Sequence, residues 1–473
     1  MPRAGAAARP PPGSIVARGG RRAGPPLRLN RLVVRVATPL GGPGRVALVT
    51  QGCKVNQYDT QVLLERFLAQ GWELVRFGEP ADLTVINSCT VTAGADADLR
   101  RLVARARRAS AQGRVLLTGC LAEVDPAGGA ALPGVDLVVG NRRKGELLAL
   151  LAGAAPQAQS FPARVGDDPI TRLDGRGRAI LKIQDGCNLR CSFCIVPRAR
   201  GASRSRGAAE TLGRARLLAE HGYREVVLSG IQLGFYRDPD GAARDLAALL
   251  EQLLAGTRDL RFRLGSLLPR HLSPALRALF RAEPARLCPH FHLSLQSGDD
   301  GVLRAMKRPY RQAHYRALAE TLCAELVDPC LGTDLIVGHP GEDAAAFARG
   351  LDFVASLPLA YGHVFPFSPR PGTAAAALPG GGTAAEKAAR GRALRELLAE
   401  KGAAYRERQR GRRLAVITEE QGAGGVWIGT SENYQRVALR GARAAAGELL
   451  AARVTGTAGP LLSAEAVGAG APV

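Results

Sequence analysis

The chain has 473 residues, 46% of them hydrophobic, which is enough for two or three domains with sizeable cores. No apolar run reaches the ~18 to 20 residues a membrane-crossing helix needs, so no membrane partner is expected. A formal net charge of +22 points to a polyanionic partner, with nucleic acid first in line.

Residues 1–44 are rich in Arg, Pro, Gly and Ala, and no acidic residue precedes Asp59. This composition predicts a disordered basic arm. Its single serine, Ser14, argues against a Ser-rich transit peptide. From 45 to 150 strands and helices alternate. Strands are expected at 45–50, 83–87, 114–118 and 135–139, with helices at 59–70 and 97–109. Such alternation implies an open parallel α/β sheet. Cys53, Cys89 and Cys120 each fall just past the end of one of these strands. In a parallel sheet those carboxyl ends converge on one crevice, so three residues far apart in sequence would meet. The competing reading is three small residues at tight turns.

Residues 151–175 lose periodicity and read as a linker. Over 176–410 βα units recur, with strands at 179–184, 225–229, 261–265, 291–295, 332–337 and 362–367. Helices lie between, for example at 208–221 and 311–326. Six such units predict a partial (β/α)6 barrel whose active mouth lies at the strands' carboxyl ends. A long basic helix is expected at 384–410. From 411 to 465 short strands between Gly-rich turns predict a small antiparallel β-barrel. The four strands expected there are 414–418, 425–429, 436–439 and 451–457. Its Tyr434, Trp427 and arginines suit stacking and phosphate contact on RNA. A stabilising or dimerising barrel is the plainer alternative.

The loop after the first strand of the six-strand domain carries Cys187, Cys191 and Cys194 at C-x3-C-x2-C. Three thiolates at this spacing fit three corners of a cubane cluster and leave one iron open. A zinc knuckle or structural thiols are the other readings. There is no signal peptide, so the nine cysteines are expected in the reducing cytoplasm. Cys288, Cys323 and Cys330 are expected to be structural thiols.

Several stretches carry a resemblance. Cys187-Asn188-Leu189-Arg190-Cys191-Ser192-Phe193-Cys194 resembles the radical S-adenosylmethionine signature. Gly52-Cys53-Lys54-Val55-Asn56-Gln57-Tyr58-Asp59, Asn87-Ser88-Cys89-Thr90-Val91-Thr92 and Thr118-Gly119-Cys120 resemble the N-terminal motifs of the methylthiotransferases. Leu293 to Gly298, Thr333 to Gly338 and Phe367 to Thr373 match further family stretches, and Gly429 to Tyr434 resembles the TRAM barrel. Gly265, Leu268 and Gln232 depart from the residues common in the family. The stretch Gly52 to Asp59 is most like the branch that acts on N6-threonylcarbamoyladenosine at tRNA position 37. Isopentenyladenosine or a ribosomal protein is the alternative substrate, and an iron–sulfur RNA-binding sensor is a remote one.

The resemblance implies two [4Fe–4S] clusters and S-adenosylmethionine as cofactors. Cys53, Cys89 and Cys120 would hold the sulfur-inserting cluster. Cys187, Cys191 and Cys194 would hold the one that chelates S-adenosylmethionine, with Phe193, Ser229, Gly230, Ser266, Gln296 and Asp334 in the pocket. The product would be the C2-methylthiolated base in the tRNA anticodon loop. Arg198, Arg200, Arg204, Arg206, Tyr434 and Arg436 are expected to contact the RNA. A sulfur donor and an electron donor such as flavodoxin or ferredoxin are implied as partners.

Overall fold

Five parallel strands form the first sheet, in the order β2-β1-β3-β4-β5. They are β1 (Arg45–Thr50), β2 (Glu73–Leu74), β3 (Leu83–Ser88), β4 (Arg114–Gly119) and β5 (Leu137–Gly140). Parallel neighbours need crossovers, and helices Lys54–Ala69 and Ala93–Ala109 supply two of them. Both helices begin about a turn earlier than their periodicity suggested. Cys53 and Thr92 take the N-cap positions, and the Thr92 side chain accepts from the Ala95 N–H at 3.2 Å. Every residue of β3 is buried, because the sheet is covered on both faces. β2 was not foreseen; two residues carry no readable period.

The computed structural model describes residues 42–157, 160–166 and 177–467. Nearly all of the expected basic arm, and parts of the expected linker, lie outside the described residues.

The central domain contains β6 (Arg178–Lys182), β7 (Gln184–Asp185), β8 (Arg204–Ser205), β9 (Glu225–Ser229), β10 (Arg261–Leu264), β11 (His290–His292), β12 (Cys330–Val337) and β13 (Tyr361–Pro366). Two parallel three-stranded sheets, β10-β9-β6 and β11-β12-β13, are joined by the bridges Phe262–Leu287 and Leu267–Leu293. The six long-range strands thus follow one another in chain order around an incomplete barrel. β7 and β8 form a short antiparallel ribbon beside the cysteine loop. Helix Ala384–Glu407 covers the β13 edge, where Gly362 lets Leu398 approach closely. A capping box of Thr383 and Glu386 fixes its start.

The C-terminal barrel is closed, in the order β14-β15-β16-β18-β17. Its strands are β14 (Arg413–Gln421), β15 (Trp427–Ser431), β16 (Arg436–Arg440), β17 (Leu449–Ala458) and β18 (Leu461–Ala466). Two expectations are corrected here. There are five strands, and β16 pairs with β18 in parallel while the other neighbours are antiparallel. The reason is closure. After the tight Gly459–Pro460 turn, the six residues of β18 are enough to seal the gap and abolish both sheet edges.

Candidate functional site

The first cysteine triad rises from three adjacent strand ends. Cys53 follows β1, Cys89 follows β3, and Cys120 opens the helix Cys120–Val124 after β4. Gly52 brings the first loop against the second. Its φ is +85°, and a Cβ there would lie 2.9 Å from the Cys89 Cβ and 3.0 Å from its Sγ. Gly119 has φ +96°, and a Cβ there would sit 2.4 Å from the Ser88 carbonyl oxygen. Buried amides lock the loops together. The Asn56 Nδ2 donates to the carbonyls of Gln51 (2.9 Å) and Ser88 (3.0 Å), and the Asn87 Nδ2 donates to the Asn56 carbonyl at 2.9 Å. Burial pushes the Cys89 thiol up to about 11, and Cys120 also goes up for the same reason. Arg200 and Lys144 pull Cys120 back toward the thiolate.

The second triad lies in the loop after β7. The Cys187 N–H donates to the Gly201 carbonyl at 3.1 Å, and the Cys194 N–H to the Cys191 carbonyl at 3.1 Å. The Arg308 Nη1 donates to the Cys191 Sγ at 3.2 Å. Burial raises the Cys187 thiol and raises Cys194 to about 12. Ser229, Gly230, Ser266 and Gln296 all fall at or just past the carboxyl ends of β9, β10 and β11, on the same rim as the loop. Gln296 holds a positive φ of 74°, with its N–H on the Asp334 carbonyl at 2.8 Å. Phe193 packs edge-on to His339, ring centroids 6.3 Å apart. Asp334 lies deeper. Its carboxylate accepts from the His292 Nε2 at 3.0 Å, and the ligating atoms of His292, Asp334 and His363 lie within 4.8 Å of one another.

Below this rim the barrel interior is aromatic and histidine-rich. Tyr361 bonds His290 (2.7 Å) and His292 (3.0 Å), and the Tyr434 ring stacks on His290 at 4.0 Å. Tyr434 comes from the turn after β15, so the small barrel inserts a ring into the large one. Three cations approach that ring: Arg263 at 5.3 Å, Lys54 at 5.9 Å and Arg178 at 6.0 Å. Sequence reasoning missed this junction, because its partners come from six elements far apart in the chain. It also missed the buried Glu225, which pairs with Arg261 and Arg263. These arginines continue to the backbone of the small barrel, at the carbonyls of Ala415, Ser431 and Glu432, each at 2.8 Å.

Most of the expected RNA-contacting set is corrected. Arg200 is 2% exposed. It bonds Asp185 at 2.9 Å and Asp59 at 3.1 Å, and also meets the Asn56 side chain. Arg206 is fully buried on Tyr58 (3.0 Å) and Glu210. Arg204 is nearly enclosed and bonds Asp185 at 2.8 Å. Tyr434 is committed to His290. A buried guanidinium must be paired, and the acids that pair these three come from Asp59, Asp185 and Glu210. Arg198 and Arg436 are exposed, the first on the Pro371 carbonyl at 2.7 Å, the second beside Glu419 and Glu420.

The donor sets suit iron–sulfur clusters. Each triad is all-thiol, and three ligands leave one iron position open. The buried Arg200 guanidinium faces Cys120, and its Nε–H has no hydrogen-bond partner among the described residues. A cluster sulfide is an acceptor of the kind that donor needs.

Residues 45–140 match the model of the Uncharacterized protein family UPF0004, and residues 181–354 match the Radical SAM superfamily. The chain is 36% identical over 387 residues to the threonylcarbamoyladenosine tRNA methylthiotransferase MtaB of Aquifex aeolicus, covering 80% of this chain and 93% of that one. It is 33% identical over 428 residues to MtaB of Bacillus subtilis, covering 86% and 93%. A tRNA-2-methylthio-N(6)-dimethylallyladenosine synthase of Cereibacter sphaeroides is 33% identical over 442 residues, covering 90% and 99%. The solved structure of the radical S-adenosylmethionine methyltransferase TsrM from Kitasatospora setae shares the fold. Its TM-score is 0.52 at 16% identity, over 70% of this chain and 77% of that one. No helix among the described residues is long and apolar enough to cross a membrane. The chain belongs to the radical S-adenosylmethionine methylthiotransferase family.

Proposed function

We propose that this chain methylthiolates C2 of N6-threonylcarbamoyladenosine at position 37 of tRNA. The observation that supports this reading is that a residue beside each triad, Lys54 next to Cys53 and Arg308 bonded to Cys191, acts on the charged groups of the barrel interior. Cys53 is followed by Lys54, which lies within electrostatic reach of His363. His363 and Arg308 act on Asp334, and Arg308 bonds Cys191. A base placed in that interior would have the two triads on different sides of it.

Cys53, Cys89 and Cys120 would hold one [4Fe–4S] cluster, and Cys187, Cys191 and Cys194 the other. When bound, the clusters and S-adenosylmethionine supply the radical and the sulfur, and the protein supplies position and dryness. Ser229, Gly230, Ser266 and Gln296 would line the S-adenosylmethionine pocket at the strand ends, with Phe193 as its side wall. Arg308 would steady the Cys191 thiolate. The closed small barrel would serve as the TRAM barrel, and Arg198 and Arg436 are the exposed members of the set assigned to RNA. An electron donor such as flavodoxin or ferredoxin, a sulfur donor and a cytoplasmic location complete the reading; nine free cysteines accord with a reducing compartment.

The names of the most similar relatives favour threonylcarbamoyladenosine over dimethylallyladenosine. Mass spectrometry of tRNA from a strain deleted for this gene tests the choice. Loss of the methylthio group from the threonylcarbamoyl nucleoside, restored by the gene, is expected. Loss from the dimethylallyl nucleoside alone would refute it.

A further inference from the structure

The interior cations are almost all matched. Arg178 pairs with Glu419 (2.7 Å) and Glu225 (3.7 Å), and Arg263 with Glu225. Lys144 and Lys182 both sit on Asp59, and Arg308 on Cys191 and Tyr310. The interior acid, Asp334, is taken by His292. Lys54 is the exception. It is half-buried, and no carboxylate among the described residues lies within ion-pair distance of it. Its ammonium lies 5.9 Å from the Tyr434 ring centroid and acts electrostatically on the imidazoles of His290 and His363. Burial lowers both imidazoles, and the two arginines on the same ring are paired with Glu225 and Glu419, so Lys54 is the cation of this wall without a carboxylate. It also opens the helix Lys54–Ala69, whose first turn has no acidic residue and whose N-terminal dipole adds to the positive field. A partly desolvated cation without a counter-ion is a place where an anion gains most.

Lys54 follows Cys53 of the first triad directly in the chain. A threonylcarbamoyl group joins threonine through its nitrogen and leaves the α-carboxylate free, close to the adenine ring. A dimethylallyl group in the same place is an uncharged hydrocarbon. Resting on the substrate reading above, we propose that Lys54 binds the substrate's free carboxylate and so selects an amino-acid-bearing N6 substituent over a neutral one. His363 would flank the bound group.

The test uses the reconstituted holoenzyme and anticodon stem-loop RNAs. One RNA carries the threonylcarbamoyl carboxylate, one its carboxamide, and one the dimethylallyl group. Wild type should prefer the acid over the amide by about 30-fold or more in kcat/KM. Lys54→Met should lose that preference, mainly through a higher KM for the acid, with an iron content equal to wild type. Lys54→Arg should restore part of it. An acid-to-amide ratio near one in wild type overturns the proposal without any variant. A wild-type ratio retained in Lys54→Met overturns it too. Wild-type turnover of the dimethylallyl RNA alone sinks the substrate reading itself, which separates the two failures.

Discussion

The Arg200 guanidinium donates to the Asp59 carboxylate at 3.1 Å, across 141 residues of sequence. Arg200 ends the short helix that follows Cys194, and Asp59 lies in the helix that follows Cys53. One buried ion pair therefore ties the segment behind one triad to the segment behind the other. Burial would favour neutral groups at both positions; instead Lys144, Lys182 and Arg200 hold Asp59 well below the usual carboxylate range. Asp185 and Asp59 hold Arg200 fully charged.

Removing Arg200 leaves two buried carboxylates short of a cation. Arg200→Met should destabilise the apo chain by about 3 kcal/mol, at the low end for broken buried pairs because two lysines remain on Asp59. Urea unfolding reads the loss. The same variant removes the cation facing Cys120, so iron bound by the first triad should fall more than iron bound by the second. An equal fall in both would show that Arg200 acts only through global stability.

Gly52 and Gly119 hold positive φ with no room for a methyl group. Gly52→Ala should cost about 1–2 kcal/mol in backbone strain alone, and the clash with Cys89 adds to it. Iron content should drop toward that of a chain lacking the first triad, while the C-x3-C-x2-C site keeps its iron. Normal loading in Gly52→Ala would mean the loop closes without the glycine.

The cluster assignment predicts about eight irons per reconstituted chain. Replacing Cys53 and Cys89 with alanine should leave about four, and replacing Cys187 and Cys191 should leave the other four. An unchanged count after the first pair of substitutions would remove the cluster assigned to Cys53, Cys89 and Cys120 from the scheme.

Glu225 gives a pH signature. Burial would raise its carboxyl, but Arg263 and Arg261 outweigh that and hold it well below the usual range. A depressed folded pKa stabilises above the unfolded value, near 4.3, and that stability is lost as pH falls through the folded value. Wild type should therefore lose stability on acidification below about pH 4. Glu225→Gln should be weaker at pH 7 by about 3–5 kcal/mol, because two arginines lose their partner, and flatter across the acid window. Because these arginines grip the small barrel's backbone, proteolysis near residue 411 should rise in the variant.

The sequence by itself determined the chemistry-bearing units. C-x3-C-x2-C is local, so one loop suffices to specify it. The strand-end placement of Cys53, Cys89 and Cys120 was also legible, because a parallel α/β repeat fixes where carboxyl ends meet. The expected strands at 45–50 and 225–229 coincide with β1 and β9 to the residue. What only the tertiary structure decided is which charges face water. Arg200, Arg204 and Arg206 read as a surface basic cluster, yet acids from a distant helix, a neighbouring strand and the following helix pair with them. Tyr434 read as an outward stacking ring, yet it turns onto His290. Lys54 was legible only as one residue of the motif around Cys53, not as a half-buried cation without a carboxylate. Burial and pairing depend on elements far apart in sequence, and a basic residue has the same local pattern whether its carboxylate partner comes from the fold or from a ligand.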